Sequence, residues 1–232
     1  MIDPRPFDSL GAFKTNWLDA KHHFSFGHYT DPERMGVGAL RVWNDDTIEP
    51  GTGFDPHPHR DMEIITYVRK GAITHQDALG NEGRTQAGDV QVMSAGTGIV
   101  HAEYNRESER TQIFQIWITP DSTDYEPRWD TRSFPKGDRA GELVVLASGR
   151  SQDEGALKIN QNAAVLGATL VSGQSVTHRL DKDRKAYLVP AMGQVTVNGI
   201  AINARDGVAI FDESEIVITA TETAEIVLVD VP

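Results

Sequence analysis

The sequence has no cysteine, which excludes disulfides, thiolate zinc sites and thiol nucleophiles together. It has no apolar run near the roughly 18 residues that a membrane-spanning helix requires. It also has no basic block: 34 acidic residues against 22 lysines and arginines leave a formal net charge of −12. Such a field repels nucleic-acid phosphates and anionic lipid. The start, Met1-Ile2-Asp3-Pro4-Arg5-Pro6-Phe7, lacks a charged segment leading into an apolar core, so no secretory leader is expected. These absences predict a cytoplasmic protein that contacts neither membrane nor nucleic acid directly. With thiolates excluded, any transition metal must be held by histidine and carboxylate.

What is present is a succession of short apolar runs broken by glycine turns, the texture of an all-β protein. Ile64-Ile65-Thr66-Tyr67-Val68 is β-branched and aromatic and stops at Lys70-Gly71; Ala87-Gly88-Asp89 opens a turn before Val90-Gln91-Val92-Met93; Ile113 to Ile118 reads as a buried strand ending before Pro120. Long amphipathic helical periodicity is missing; one short helix fits around Ala156 to Asn162. A boundary falls after Pro120, because Asp121 to Gly141 is rich in Pro, Asp and Arg and contains no convincing strand. The chain, at 232 residues, suits two domains of about 100 residues each. The expected division is residues 1–125, a connector at 126–142, and 143–232. The halves share an order of turns and strands, with His178 following Gly173 much as His57 follows Gly51, which predicts a duplication.

Two clusters carry the chemistry. In Gly51-Thr52-Gly53-Phe54-Asp55-Pro56-His57-Pro58-His59-Arg60-Asp61-Met62-Glu63, alternate side chains of an extended chain share a face. His57, His59, Asp61 and Glu63 are then expected on one side, with Met62, Ile64 and Thr66 on the other. In His101-Ala102-Glu103-Tyr104-Asn105 the same period groups His101, Glu103 and Asn105. If these segments converge, imidazoles and carboxylates meet in a donor set suited to Fe, Cu, Mn, Ni, Co or Zn. His22, His23, His28 and His75 are read as structural or surface histidines, and Trp17, Phe24, Phe26 and Tyr29 as core aromatics. Gln115 and Trp117, on one face of a later strand, either line a pocket or pack the core.

The stretch Gly51 to Gly71 resembles the first cupin motif, and Gly88 to Asn105 resembles the second. More narrowly, His57-Pro58-His59-Arg60-Asp61-Met62-Glu63 and Met93-Ser94-Ala95-Gly96-Thr97-Gly98-Ile99-Val100-His101-Ala102-Glu103 resemble the pirins, as does Phe24-Ser25-Phe26-Gly27-His28-Tyr29. That resemblance implies a bicupin: two tandem cupin-type β-barrels or jelly rolls with few short helices, the second degenerate. It implies one divalent metal in the first barrel, held by His57, His59, His101 and Glu103; the wider cupin pattern would use Glu63, left here as a supporting or fallback ligand. His178 stands without an H-x-H partner, so no second metal is expected. The implied activity is that of quercetin 2,3-dioxygenase, opening a flavonol ring with O2 and releasing carbon monoxide, with Glu103 as general base. The alternative is a metal-binding regulatory protein that acts on a protein partner without turnover.

Overall fold

The computed structural model describes residues 1–134 and 136–232. The β-branched runs and glycine turns give twenty-two strands and two short 3-10 turns, Phe7–Ser9 and Lys136–Arg139, among the described residues.

The first half is a barrel of two facing sheets. Its seven-stranded sheet runs in the order Arg128–Ser133, Asp89–Ser94, Glu63–Lys70, Thr111–Ile118, Leu40–Ile48, Leu18–His22, Gly11–Lys14, and its four-stranded sheet in the order Gly53–His59, Ile99–Tyr104, Ala72–Asp77, Glu82–Gln86. The second half repeats the plan. A seven-stranded sheet, Ile2–Arg5, Gly207–Ile210, Lys185–Met192, Ala224–Val231, Ala164–Leu170, Val144–Ser148, Leu157–Lys158, accompanies the four strands Ser175–Arg179, Glu215–Ala220, Val195–Val197 and Ile200–Ile202. The chain therefore starts in the sheet of the second half, where Ile2 pairs with Ile210. The two large sheets pack back to back, Trp43, Ile65, Tyr67 and Phe114 meeting Tyr187, Val189 and Val227 in one apolar cluster.

The two barrel interiors differ in a way that decides where chemistry can occur. Inside the second barrel Leu166, Leu188, Ile210, Ile218 and Leu228 belong to one continuous aliphatic cluster. Inside the first barrel the apolar residues fall into two small groups, Leu18–Ile48–Val68–Ile73–Ile113 and Ile64–Met93–Ala95–Ile99. Polar side chains occupy the space between. The strand register aligns them: His22 lies opposite Asn44, Asn44 opposite Gln115, Gln115 opposite Thr66, and Thr66 opposite Gln91. Directly paired residues share a face of the sheet, so these five form a polar belt across the barrel floor.

Two expectations are corrected. No helix forms at Ala156 to Asn162: Leu157 and Ile159 are both buried while Lys158 is exposed, a period of two that suits a strand, and Leu157–Lys158 pairs in parallel with Ala147–Ser148. The stretch Asp121 to Gly141 does contain a strand, Arg128–Ser133, paired with Asp89–Ser94. It is an edge strand of largely polar residues, held by backbone pairing rather than apolar alternation, so hydrophobic periodicity could not announce it.

Candidate metal centre

Gly53–His59 is an edge strand, the one position in a sheet where Pro56 and Pro58 cost no ladder hydrogen bond. Alternation turns both prolines outward and sends His57 and His59 inward. The neighbouring strand sets His101 directly opposite His57, and a register irregularity follows before Glu103. Donor atoms of His57, His59 and His101 consequently all lie within 4.8 Å of one another. The His59 ring is fixed by Trp117, edge-on at 4.9 Å.

Proton positions in this cluster follow from its hydrogen bonds. His57 Nδ1 lies 2.7 Å from the carbonyl oxygen of Asp55; a carbonyl only accepts, so the proton is on Nδ1 and the Nε2 lone pair points inward. Asp77 accepts from the backbone N–H groups of Leu79 and Asn81, from the Asn81 amide, and from His75 Nε2 at 3.0 Å. Burial alone would raise the Asp77 carboxyl, but the hydrogen bonds from His75 and Asn81 take its pKa below the usual value, so it is an ionised acceptor. His75 Nδ1 lies 3.4 Å from His101 Nδ1, and His101 Nε2 lies 3.0 Å from His57 Nε2. At that separation the His57 and His101 nitrogens share either a proton or a cation. Three imidazoles so gathered fit a divalent transition-metal ion.

Glu103 enters from the same strand as His101 and is 2 % exposed. The polar belt of the opposite sheet holds it: Gln91 Nε2 donates to Oε1 at 2.6 Å, Gln115 Nε2 to Oε2 at 2.8 Å, and the Thr66 hydroxyl lies 3.3 Å from Oε1. A Glu103 oxygen falls within 4.8 Å of donor atoms of His101 and His75, but not within the three-imidazole group. Hydrogen bonds to a charged group are worth about 1.5–3 kcal/mol each, against a metal site on the order of 10 kcal/mol. A shift of this carboxylate toward a bound ion is thus affordable. A cavity of about 430 Å³, walled by Trp17, Phe26, Phe54, Ile64 and Trp117, opens onto all four side chains, within the size range of small-molecule sites.

Other sequence expectations divide. Glu63 is not brought to the cluster: it accepts from Ser94 at 2.6 Å and, through its other oxygen, from Asn160 of the second half at 3.0 Å. Asp61, at φ 45° in a turn, accepts the Asp124 N–H. The turn resets the alternation, so that Thr66, not Glu63, faces the interior where Glu103 lies. Asn105 caps a loop through the carbonyls of Ile48 and Glu109. Gln115 and Trp117 line the cavity. Phe24 is a core aromatic; Trp17 packs on a small core group and, with Phe26, also lines the cavity beside the imidazoles, while Tyr29 lines an adjoining one, because Trp17 stands at the turn before Leu18–His22 and Phe26 and Tyr29 in the segment after it. His23 is buried against Tyr187 at 2.9 Å, and His28 is exposed. His178 donates to Asp230, which Arg150 and Arg184 also bind at 2.6 Å each.

His75 is more than a packing residue, and sequence reasoning missed it together with Trp129. Trp129 comes from the unforeseen edge strand and stacks on His75 at 4.9 Å and 7°. Gly83 makes room for it; a Cβ there would stand 2.2 Å from the indole. Outer partners of a ligating histidine set its tautomer and are worth about 10–100-fold in metal affinity. His75→Leu is accordingly expected to weaken metal binding by about 10–100-fold while His28→Leu leaves it unchanged, measured by competitive chelator titration.

Two family models match the chain, one described as Pirin over residues 5–118 and one described as Quercetinase C-terminal cupin domain over residues 145–231. A pirin-like protein of Caulobacter vibrioides is 65% identical over 230 residues, covering 99% of both chains. The chain belongs to the pirin family. The quercetin 2,3-dioxygenase of Escherichia coli strain K12 is 42% identical and covers 100% of this chain and 99% of its own. Among solved structures, bacterial pirin YhhW of Escherichia coli in complex with nickel(II) has a TM-score of 0.94 at 41% identity, covering 100% of this chain and 99% of that one.

In this pirin-family chain the metal-free centre carries a pH signature. Burial, then the neighbouring imidazoles, lower His59 to about 4 and His101 to about 3. Both groups take up protons more readily in the unfolded chain, whose histidines titrate near 6.5. The stability they contribute is therefore complete above that value and is lost as pH falls from 6.5 through 4 and 3. Thermal melts of metal-free protein should show a falling Tm below pH 6.5, with a shallower slope in His101→Gln.

Proposed function

We propose that this protein is a quercetin 2,3-dioxygenase-type oxygenase of the cytoplasm that opens a flavonol ring with O2 and releases carbon monoxide. In this reading one divalent metal is held by His57, His59, His101 and Glu103 in the first barrel, and Glu103 is also the general base. The relative from Escherichia coli bears the name of that activity, and YhhW was crystallised with nickel(II). The observation that carries the reading is three imidazoles with donor atoms within 4.8 Å of one another, at the wall of an aromatic-lined cavity that also holds a carboxylate. Fe, Cu, Ni, Mn, Co or Zn fit this donor set, and when bound such an ion supplies Lewis acidity that eases deprotonation of a coordinated hydroxyl.

The protein's own groups supply the rest. Three neutral imidazoles and one carboxylate only partly neutralise a divalent charge, so the site favours an anionic substrate oxygen. Glu103 takes the flavonol hydroxyl proton, and Gln91 and Gln115 hold its carboxylate in place for the transfer. Trp117, Phe54 and Phe26 form flat apolar walls that orient a planar ring system and exclude water. The test is aerobic bleaching of quercetin, with O2 consumption and carbon monoxide release, by protein loaded with each metal in turn. Turnover above the free-ion rate supports the reading. Tight metal binding with no turnover for any metal overturns it in favour of the regulatory alternative.

A further inference from the structure

A second recess adjoins the metal cavity. Its volume is about 420 Å³, and it shares Phe26, Asn44, Asp46 and Phe54 with the metal cavity, so the two spaces meet along one wall. Phe13, Tyr29, Ala20 and His22 are also part of its lining. Ala20 lies directly opposite Asp46 in the sheet register, and its small side chain leaves the space in front of the carboxyl open.

The polar groups of this recess are incompletely paired. Asp46 is 3 % exposed, yet its Oδ1 is buried with no hydrogen-bond partner. Burial, then the charges of Asp45 and Glu103, raise its pKa well above the usual carboxyl value. Buried polar groups without partners are rare and unfavourable. Beside it, His22 Nδ1 lies 2.8 Å from Asn44 Oδ1. The amide oxygen only accepts, so His22 donates from Nδ1 and keeps an Nε2 lone pair, while the Asn44 NH2 group remains a donor. The recess thus combines aromatic walls with a cluster of acceptors and one donor, all built on sheet strands.

We infer that this recess is a second substrate subsite, taking the ring of a polyphenol remote from the metal, with Asp46 receiving a hydrogen bond from a phenolic hydroxyl on that ring. The inference rests on the flavonol reading and deepens it by naming what selects the substrate: a planar aromatic long enough to span both cavities and hydroxylated at its far end. A hydroxyl both donates and accepts, so it satisfies Asp46 in either protonation state and can use the Asn44 amide as well. A ligand without that hydroxyl leaves Asp46 unpaired.

Binding without turnover tests this. Quercetin, hydroxylated on its outer ring, and 3-hydroxyflavone, which is not, are titrated anaerobically into the metal-loaded protein and followed by tryptophan fluorescence. Removing an unpaired buried carboxyl does not remove a stabilising contact, so Asp46→Ala is expected to fold, and Ala20→Leu fills the space in front of Asp46 while leaving the carboxyl in the chain. The expected result is an approximately tenfold loss of quercetin affinity in Asp46→Ala, the effect of one buried hydrogen bond, with 3-hydroxyflavone unchanged within about twofold. Ala20→Leu should likewise weaken quercetin more than 3-hydroxyflavone. If Asp46→Ala affects neither ligand, or both equally, the subsite is overturned while the metal-end reading stands. If the wild type binds neither flavonol, the substrate class fails, and the subsite with it.

Discussion

His101→Ala is expected to abolish tight metal binding and reduce quercetin turnover to the free-metal rate. His101 sits at the centre of the site's polar geometry: Nε2 faces His57, Nδ1 faces His75, and the side chain is 3 % exposed. Its loss removes one donor and also detaches the Asp77–His75 pair from the centre. The fall in affinity should exceed the roughly 10–100-fold that an outer partner such as His75 is worth. Elemental analysis of purified protein and the metal-induced rise in Tm measure it, since a ligand that binds only the folded state raises stability in proportion to its affinity. His101→Gln, which fills the same space, separates loss of the donor from a packing defect. Retention of stoichiometric metal in both variants would exclude His101 as a ligand.

Glu103→Gln should leave much of the metal in place and still reduce turnover by about 10²–10⁴-fold, the usual contribution of a positioned general base. The belt of Gln91, Thr66 and Gln115 donates toward this side chain. A carboxylate accepts on both oxygens, whereas an amide accepts on one and sets a donor against a donor on the other side. The variant therefore loses the proton acceptor and disturbs its support. The three imidazoles, independent of that belt, remain. Metal content measured beside kcat distinguishes the outcomes: metal lost in parallel with activity would make Glu103 chiefly a ligand, and full activity would remove it from the chemistry.

Much of the fold was legible in the chain. β-branched runs such as Ile64–Val68 and turns such as Lys70-Gly71 have local causes, and the strands formed where those causes act. Edge elements were harder to read. Arg128–Ser133 is polar along most of its length and pairs only because Asp89–Ser94 offers it a free backbone edge. That strand carries Trp129 to His75, so the missed strand and the missed orienting histidine have one origin. Parity counting also failed between His59 and Glu63, because the left-handed turn at Asp61 restarts the alternation and turns Glu63 toward Asn160.

By itself, the sequence determined the β class, the absence of thiol chemistry and the spacing that lets His57 and His59 share a face, because composition, turn propensity and alternation operate over a few residues. Only the tertiary structure decided which carboxylate accompanies the imidazoles, which histidine orients them, and that the first barrel keeps a polar belt and a cavity while the second is filled with aliphatic side chains. Those outcomes depend on register between strands distant in the chain. A shift of one residue in that register sends every side chain of a strand to the opposite face.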